Sequence, residues 1–259
     1  MPLTKFQLTI ARLLANNRSK DSYLAGGAAL HFSPKSQRFS NDLDYFHDSI
    51  ERVASAYEAD AKNLIEAGYI VTVAMKQPGF IRAVVNQGTH STKIEWAHDS
   101  AWRFMPPIEN GDVGIQLHPV DLAINKVLAL VGRDEARDFI DIHYIDREIL
   151  QLGPLCWAAV GKDPGFTPYS MIELLKRRGK YRPEDFARLK LQKPIDLASL
   201  KERWLEMLSS AEAFVKTRPP SEAGCLYYSA LCKKFVDPSD ISDAIPHFGT
   251  LGGVLPSFA

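Results

Sequence analysis

The chain has only three cysteines in 259 residues, Cys156, Cys225 and Cys232, and no two of them form a C-x-x-C pair. An odd, widely spaced set excludes a disulfide framework and a zinc knuckle. It fits buried or free thiols in a reducing compartment. No two histidines stand at H-x-x-x-H, which removes the helical zinc site of that spacing. No run of eighteen apolar residues exists, so no membrane span is expected. The first residues lack the basic region, apolar core and cleavage site of a signal peptide, and a cytoplasmic setting is the expectation. Net charge is also missing, since 31 Lys+Arg balance 31 Asp+Glu. There is thus no global pull toward nucleic acid or an acidic membrane, and any such contact must come from a local patch.

What is present suits a globular chain long enough for one large domain or two small ones, with a core that needs no staples. Phe6, Ile10, Leu13 and Leu14 have the spacing of a first amphipathic helix. Ser22–Ala25 reads as a short strand running into Gly26-Gly27 and the helix-like AALHF. Ser33–Gln37 is a polar loop. Asp42–His47 alternates as a strand, with Leu43 and Tyr45 on one side and Asp42, Asp44 and Phe46 on the other. A helix follows over residues 50–67, then strands at 69–75, 80–86 and 89–97 with turns at Pro78-Gly79 and Gln87-Gly88. From Pro119 the pattern is helical: DLAINKVLALV up to Gly132, a second helix over 134–150, and more near 168–178, 184–190 and 196–216. The expectation is an α+β fold. A mixed sheet with flanking helices occupies residues 1–117, a helical domain completing a cleft occupies 118–218, and 219–259 is a tail without assigned elements.

Two features of the first half carry chemistry. The two-residue period of a strand puts the carboxylates of Asp42 and Asp44 on one face. Glycines between a strand and a helix let backbone N–H groups approach an anion closely. Paired carboxylates holding divalent metal beside such a turn are what a phosphoryl-transfer centre requires.

Taken together, Leu24-Ala25-Gly26-Gly27-Ala28-Ala29-Leu30 and Arg38-Phe39-Ser40-Asn41-Asp42-Leu43-Asp44-Tyr45 read as GG-x-x-L … R-x-S-x-D-L-D-[FY]. This resembles the signature of the DNA polymerase β-like nucleotidyltransferases. In the form with Arg and Ser before D-L-D, it is similar to the AbiEii/AbiGii toxin family. Lys93-Ile94-Glu95 looks like that family's second motif, with Glu95 as a third carboxylate and Asp99 as a backup. A cross-strand ion pair is the plainer alternative for Lys93 and Glu95. Asp121…Lys126 matches D-x-x-x-x-K, and Arg137…Asp141 matches R-x-x-x-D. If the two helices fold back around Gly132, Lys126 and Asp141 can meet.

The resemblance implies a Mg²⁺- or Mn²⁺-dependent enzyme that moves NMP from an NTP onto an acceptor hydroxyl. RNA, including tRNA, is a candidate acceptor and a cognate antitoxin a candidate partner. Asp42, Asp44 and Glu95 would be metal ligands and, with Asp141, catalytic groups. Gly26, Gly27, Arg38, Ser40, Lys93, Lys126 and Arg137 would bind the nucleotide. Many superfamily members have Gly-Ser where this chain has Gly26-Gly27. Backbone N–H groups, Ser33 or Ser40 would have to replace that hydroxyl. Two alternatives stay open. One is a non-catalytic nucleotide- or RNA-binding protein on the same fold. The other is transfer to a small molecule, for which Glu173, Glu184 and Asp185 could supply an acidic pocket. The basic run Lys176–Arg182 reads either as a contact to RNA phosphates or as a solvated helix end.

Overall fold

The structure is a computed structural model that describes residues 3–32 and 36–257, so Ser33 lies outside the described residues. Contacts divide the chain into two compact units. The first comprises residues up to Trp102 with Pro106–His118 and Leu251–Gly253; the second comprises Arg103–Met105, Pro119–Thr250 and the residues from Val254 onward.

The first unit is built on α1 (Lys5–Leu14), β1 (Ser22–Ala25), α2 (Gly26–Leu30), β2 (Asp42–His47), α3 (Ile50–Glu66), β3 (Ile70–Gln77), β4 (Phe80–Gln87) and β5 (His90–His98). The two-residue β6 (Trp102–Arg103) follows, then β7 (Ile108–Asn110) and β8 (Gly114–Gln116). Thr4 and Gln7 form a reciprocal capping box that starts α1, which satisfies N–H groups the helix itself cannot. Ser49 caps α3 by accepting the Arg52 N–H at 3.1 Å. α3 then buries Val53, Ala56, Ala61 and Leu64 on one stripe.

Seven of these strands, all but β6, run in the order β3-β4-β5-β2-β1-β8-β7. β2 lies parallel to β5 and antiparallel to β1, and β4 pairs antiparallel with both β3 and β5. Leu43, Tyr45, Ala83, Ile81, Ile94 and Trp96 are fully or nearly fully buried. The alternate positions Asp44, Arg82, Lys93 and Glu95 keep partial exposure. The period-two pattern thus separates an apolar face from a polar one. The short β7 and β8 were not expected from sequence, because three residues are too few for alternation to register.

The second unit contains α4 (Pro119–Gly132), α5 (Ala136–Glu148), α6 (Leu152–Lys162), α7 (Pro168–Leu175), α8 (Pro183–Phe186) and α9 (Leu197–Thr217). It also contains β9 (Cys225–Ser229), β10 (Lys234–Phe235) and β11 (Ala244–Phe248); the two-residue β12 (Thr250–Leu251) follows in the chain, with Leu251 counted in the first unit. α6 was unexpected, since Gly153-Pro154 reads as a loop. Both residues sit in the first turn, where a missing proline N–H costs nothing. Gly153 also lets α9 come close, because a Cβ there would lie 2.9 Å from Phe214 Cβ. The helix expected over 184–190 shrinks to the single turn Pro183–Phe186. The stretch after Pro219 is not a featureless tail. β10, β9 and β11 form a three-stranded sheet, and Trp157 of α6 donates its indole N–H to the Glu222 carbonyl at 2.8 Å. Isolated apolar residues among Gly, Pro and Ser hid these strands.

Candidate active site

The parallel register of β2 and β5 sets Asp42 beside Lys93 and Asp44 beside Glu95. Asp42, Asp44 and Glu95 each offer a carboxylate oxygen within 4.8 Å of the others. Such a set of hard oxygen donors fits a divalent cation. Lys93 is threaded into it, with Nζ 3.0 Å from Asp42 Oδ2 and 3.0 Å from Glu95 Oε1. Burial by itself would lower the Lys93 pKa, but its bonds to Asp42 and Glu95 outweigh that and raise it. The second cation, Arg82 on β4, was not anticipated. Its Nε donates to Glu95 Oε1 at 2.9 Å.

The glycine turn folds directly onto this group. Gly26 has φ +59°, and a Cβ there would lie 1.9 Å from Asp44 Oδ2. No side chain can share that space, so glycine is required both by conformation and by the closeness of the carboxylate. A Cβ on Gly27 would lie 3.0 Å from Arg38 Nη2 and 3.2 Å from Ser40 Oγ. The Ser40 hydroxyl donates to the Asp42 carbonyl at 3.0 Å and to Asp42 Oδ1 at 3.3 Å. Ser40 therefore stands close to where a serine at position 27 would project. Arg38 is buried and donates through Nη1 to its neighbour's carbonyl, Phe39 O, at 3.1 Å. Gly26, Gly27, Arg38, Ser40, Asp42, Asp44, Lys93 and Glu95 are thus gathered in one place.

The opposite face of the same strands is fixed by a buried ion pair that sequence reasoning passed over. Arg18 Nη2 lies 2.7 Å from Asp60 Oδ2, and the Trp96 indole donates to that oxygen at 2.7 Å. Asn17 donates to Asp60 Oδ1 at 2.8 Å. The Arg18 guanidinium lies 4.3 Å above the Tyr45 ring centroid. Tyr45 and Trp96 immediately follow Asp44 and Glu95, so the network holds both carboxylate-bearing strands from behind. The signal in the sequence was Asp60, a charge on the apolar stripe of α3.

In the second unit, α4 and α5 fold back so that Lys126 Nζ lies 2.7 Å from Asp141 Oδ2 and 3.0 Å from Asp138 Oδ1. Both carboxylates are fully buried. Burial alone would push the Asp138 carboxyl up, but Lys126 and Arg133 hold it below the usual range. Asp138 was missed, although it lies three residues before Asp141 on the same helical face. Arg137 stands near Glu135, 3.5 Å away. Asp121 is structural in this unit, accepting the N–H groups of Phe104 at 2.7 Å and Met105 at 3.0 Å. Two of the three acids considered for a small-molecule pocket, Glu173 and Asp185, are engaged locally. Glu173 pairs with Lys176 at 2.8 Å, and Asp185 accepts the Arg182 N–H at 2.7 Å.

The family model for the nucleotidyl transferase AbiEii toxin of type IV TA systems matches residues 10–224. Among solved structures, the fold is similar to MenT4, a nucleotidyltransferase toxin from Mycobacterium tuberculosis H37Rv. That match has 17% identity and a TM-score of 0.55 over 83% of this chain and 83% of the other. It is also similar to an H. pylori protein assigned as a nucleotidyltransferase, with 18% identity and a TM-score of 0.50 over 83% of this chain and 96% of the other. At these identities the likeness concerns the fold. The search of curated protein sequences found no match. Among the described residues, no helix is long and apolar enough to cross a membrane.

Proposed function

Because the chain belongs to the AbiEii nucleotidyl transferase toxin family, we propose that it is a Mg²⁺- or Mn²⁺-dependent enzyme transferring NMP from an NTP to the hydroxyl of an RNA acceptor. The observation that carries this reading is the convergence of Asp42, Asp44 and Glu95 within 4.8 Å, next to a turn that excludes any side chain at Gly26. Bound divalent metal would supply charge neutralisation at the reacting phosphate.

This chain's residues would then act as follows. Asp42 and Asp44 hold the metal-bearing face, and Glu95 completes it. The acceptor oxygen bonds to the α-phosphorus, the bond to the β-phosphate oxygen breaks, and pyrophosphate leaves. Glu95 accepts the acceptor's proton. It keeps 18% side-chain exposure, whereas Asp141 is fully buried against Lys126, which suits Asp141 to orienting that lysine. Backbone N–H groups of Gly26 and Gly27, with Arg38 and Ser40, take the phosphate contacts that a serine after Gly26 would make. Lys126 is assigned to the triphosphate, and Lys93 and Arg137 to the nucleotide. The family's toxin–antitoxin setting makes a cognate antitoxin the proposed protein partner, in the cytoplasm.

The test is to incubate the protein with Mg²⁺ and each α-labelled NTP, offering total RNA, total protein and small-molecule hydroxyls in separate reactions. Label should appear in RNA and be abolished by EDTA. Label confined to protein or to a small molecule moves the acceptor to that class. Saturable NTP binding without transfer to any acceptor leaves a binding protein.

A further inference from the structure

The segment Arg177–Lys193 carries seven basic and two acidic residues in a chain of zero net charge. Its inward-turned members anchor it to the second unit. Arg178 caps the end of α4, donating to the carbonyls of Leu130 at 3.0 Å and Val131 at 2.6 Å. Gly179 has φ +83° and packs its backbone against Trp204, where a Cβ would lie 2.8 Å from Cδ1. Tyr181 and Phe186 are buried with ring centroids 5.7 Å apart.

The remaining cations are open to solvent. Arg177, Lys180, Arg182, Arg188, Lys190 and Lys193 are all exposed. Among the described residues, no acidic side chain forms an ion pair with any of them, in contrast to neighbouring Lys176, which is held by Glu173 and Glu212 at 2.8 Å each. Of the two acids in the segment, Asp185 is taken by a backbone N–H. The segment shows no large exposed apolar side chain, so it lacks what a bilayer-inserting surface needs. With its aromatic rings buried, it also lacks a stacking platform for bases.

We propose that Arg177–Lys193 is a docking strip for the phosphodiester backbone of RNA, reading charge and not sequence. It rests on the reading that the acceptor is RNA, and it names the surface that would hold that acceptor. Such binding follows counterion release, so affinity falls steeply with salt, by about 0.7 log units per log unit of salt for each single-strand phosphate contact.

The experiment measures binding of a labelled single-stranded RNA of mixed sequence by fluorescence anisotropy across about 50–200 mM salt. The wild type is compared with the triple variant Arg188→Gln/Lys190→Gln/Lys193→Gln and with its Glu counterpart. The Gln variant should bind at least about tenfold more weakly, with a salt slope shallower by about 2 units. The Glu variant should be weaker still, with unchanged melting temperatures throughout. A homopolymer RNA should bind within a few-fold of the mixed sequence.

Unchanged affinity and slope in both variants overturns the strip, as does wild-type binding to phosphatidylglycerol vesicles without binding to RNA. Lost RNA binding in the variants, in a protein that transfers nucleotide only to non-RNA acceptors, keeps the strip and removes RNA as the acceptor. Unaltered binding and transfer to RNA in the variants does the reverse.

Discussion

Gly26 and Asp44 compete for one volume: a Cβ on Gly26 would sit 1.9 Å from Asp44 Oδ2, at a backbone φ of +59°. The turn and the metal-binding face are therefore one structure, and a methyl group at position 26 must displace the carboxylate or the backbone. Gly26→Ala is expected to cost about 1–3 kcal/mol of stability from the left-handed conformation. It should weaken Mn²⁺ binding by more than that strain alone explains. Isothermal titration with Mn²⁺ beside a denaturant melt checks both. Wild-type metal affinity in the variant would show that Asp44 is not held there by the turn.

Lys93 bridges Asp42 and Glu95 at 3.0 Å on each side, so its ammonium competes with a cation for the same oxygens. Lys93→Met should tighten divalent-metal binding in the absence of nucleotide and weaken NTP binding, since a phosphate-binding charge is lost. Titrations of metal alone, and of NTP with metal present, separate the two effects. A loss of both would mean that Lys93 holds the carboxylates in place.

The Arg18–Asp60 pair is fully buried, and removing one partner strands the other. Asp60→Ala should destabilise the protein by about 3–5 kcal/mol. Arg18→Met/Asp60→Leu, which removes both charges, should recover part of that loss, the rest being the Trp96 and Asn17 donors left without Asp60. Equilibrium denaturation of the two variants decides, and equal losses in both would show that packing, not the stranded charge, sets the cost.

Acid should loosen the fold by charging its buried histidines. Burial holds His118 and His143 down to about 4, and His47 down to about 3, from an ordinary 6.5. Groups with depressed folded pKa values contribute stability that is present above about pH 6.5 and lost as pH falls toward 4. Asp121 works the other way. Burial raises its pKa from 3.8 to about 6, so its contribution is present below about 4 and lost as pH rises through 6. With three histidines opposing one aspartate, unfolding midpoints should fall between pH 6.5 and 4. His143→Leu should flatten that slope, and an equally steep slope in the variant would remove His143 from the account.

The first half of the chain was legible because its chemistry is written in period two. Alternation alone puts the two carboxylates of D-L-D on one face of β2 and the charged pair of K-I-E on one face of β5, and the register Asp42–Lys93, Asp44–Glu95 then brings the two pairs to the same side of the sheet. Arg82 could also have been found. The turn at Gln87-Gly88 pairs Gln87 with His90, and counting back along that hairpin brings residue 82 opposite Glu95. Lys126 and Asp141 met as the fold-back at Gly132 suggested. Asp138 escaped because the motif spacing directs attention to Arg137 and Asp141. The ion pair behind the site was illegible in a stronger sense, since Arg18, Asp60 and Trp96 come from three separate elements and no local pattern joins them. α6 and the β9–β11 sheet escaped because Gly and Pro speak locally for loops, while packing decides otherwise.

The most direct test of the central claim is pyrophosphate release from NTP in the presence of the RNA acceptor, followed against Mg²⁺ concentration for the wild type and Asp44→Asn. The account predicts release that requires the divalent ion and falls by about a hundredfold or more in the variant, with the fold intact. Metal-independent release, or release unchanged by Asp44→Asn, would contradict it.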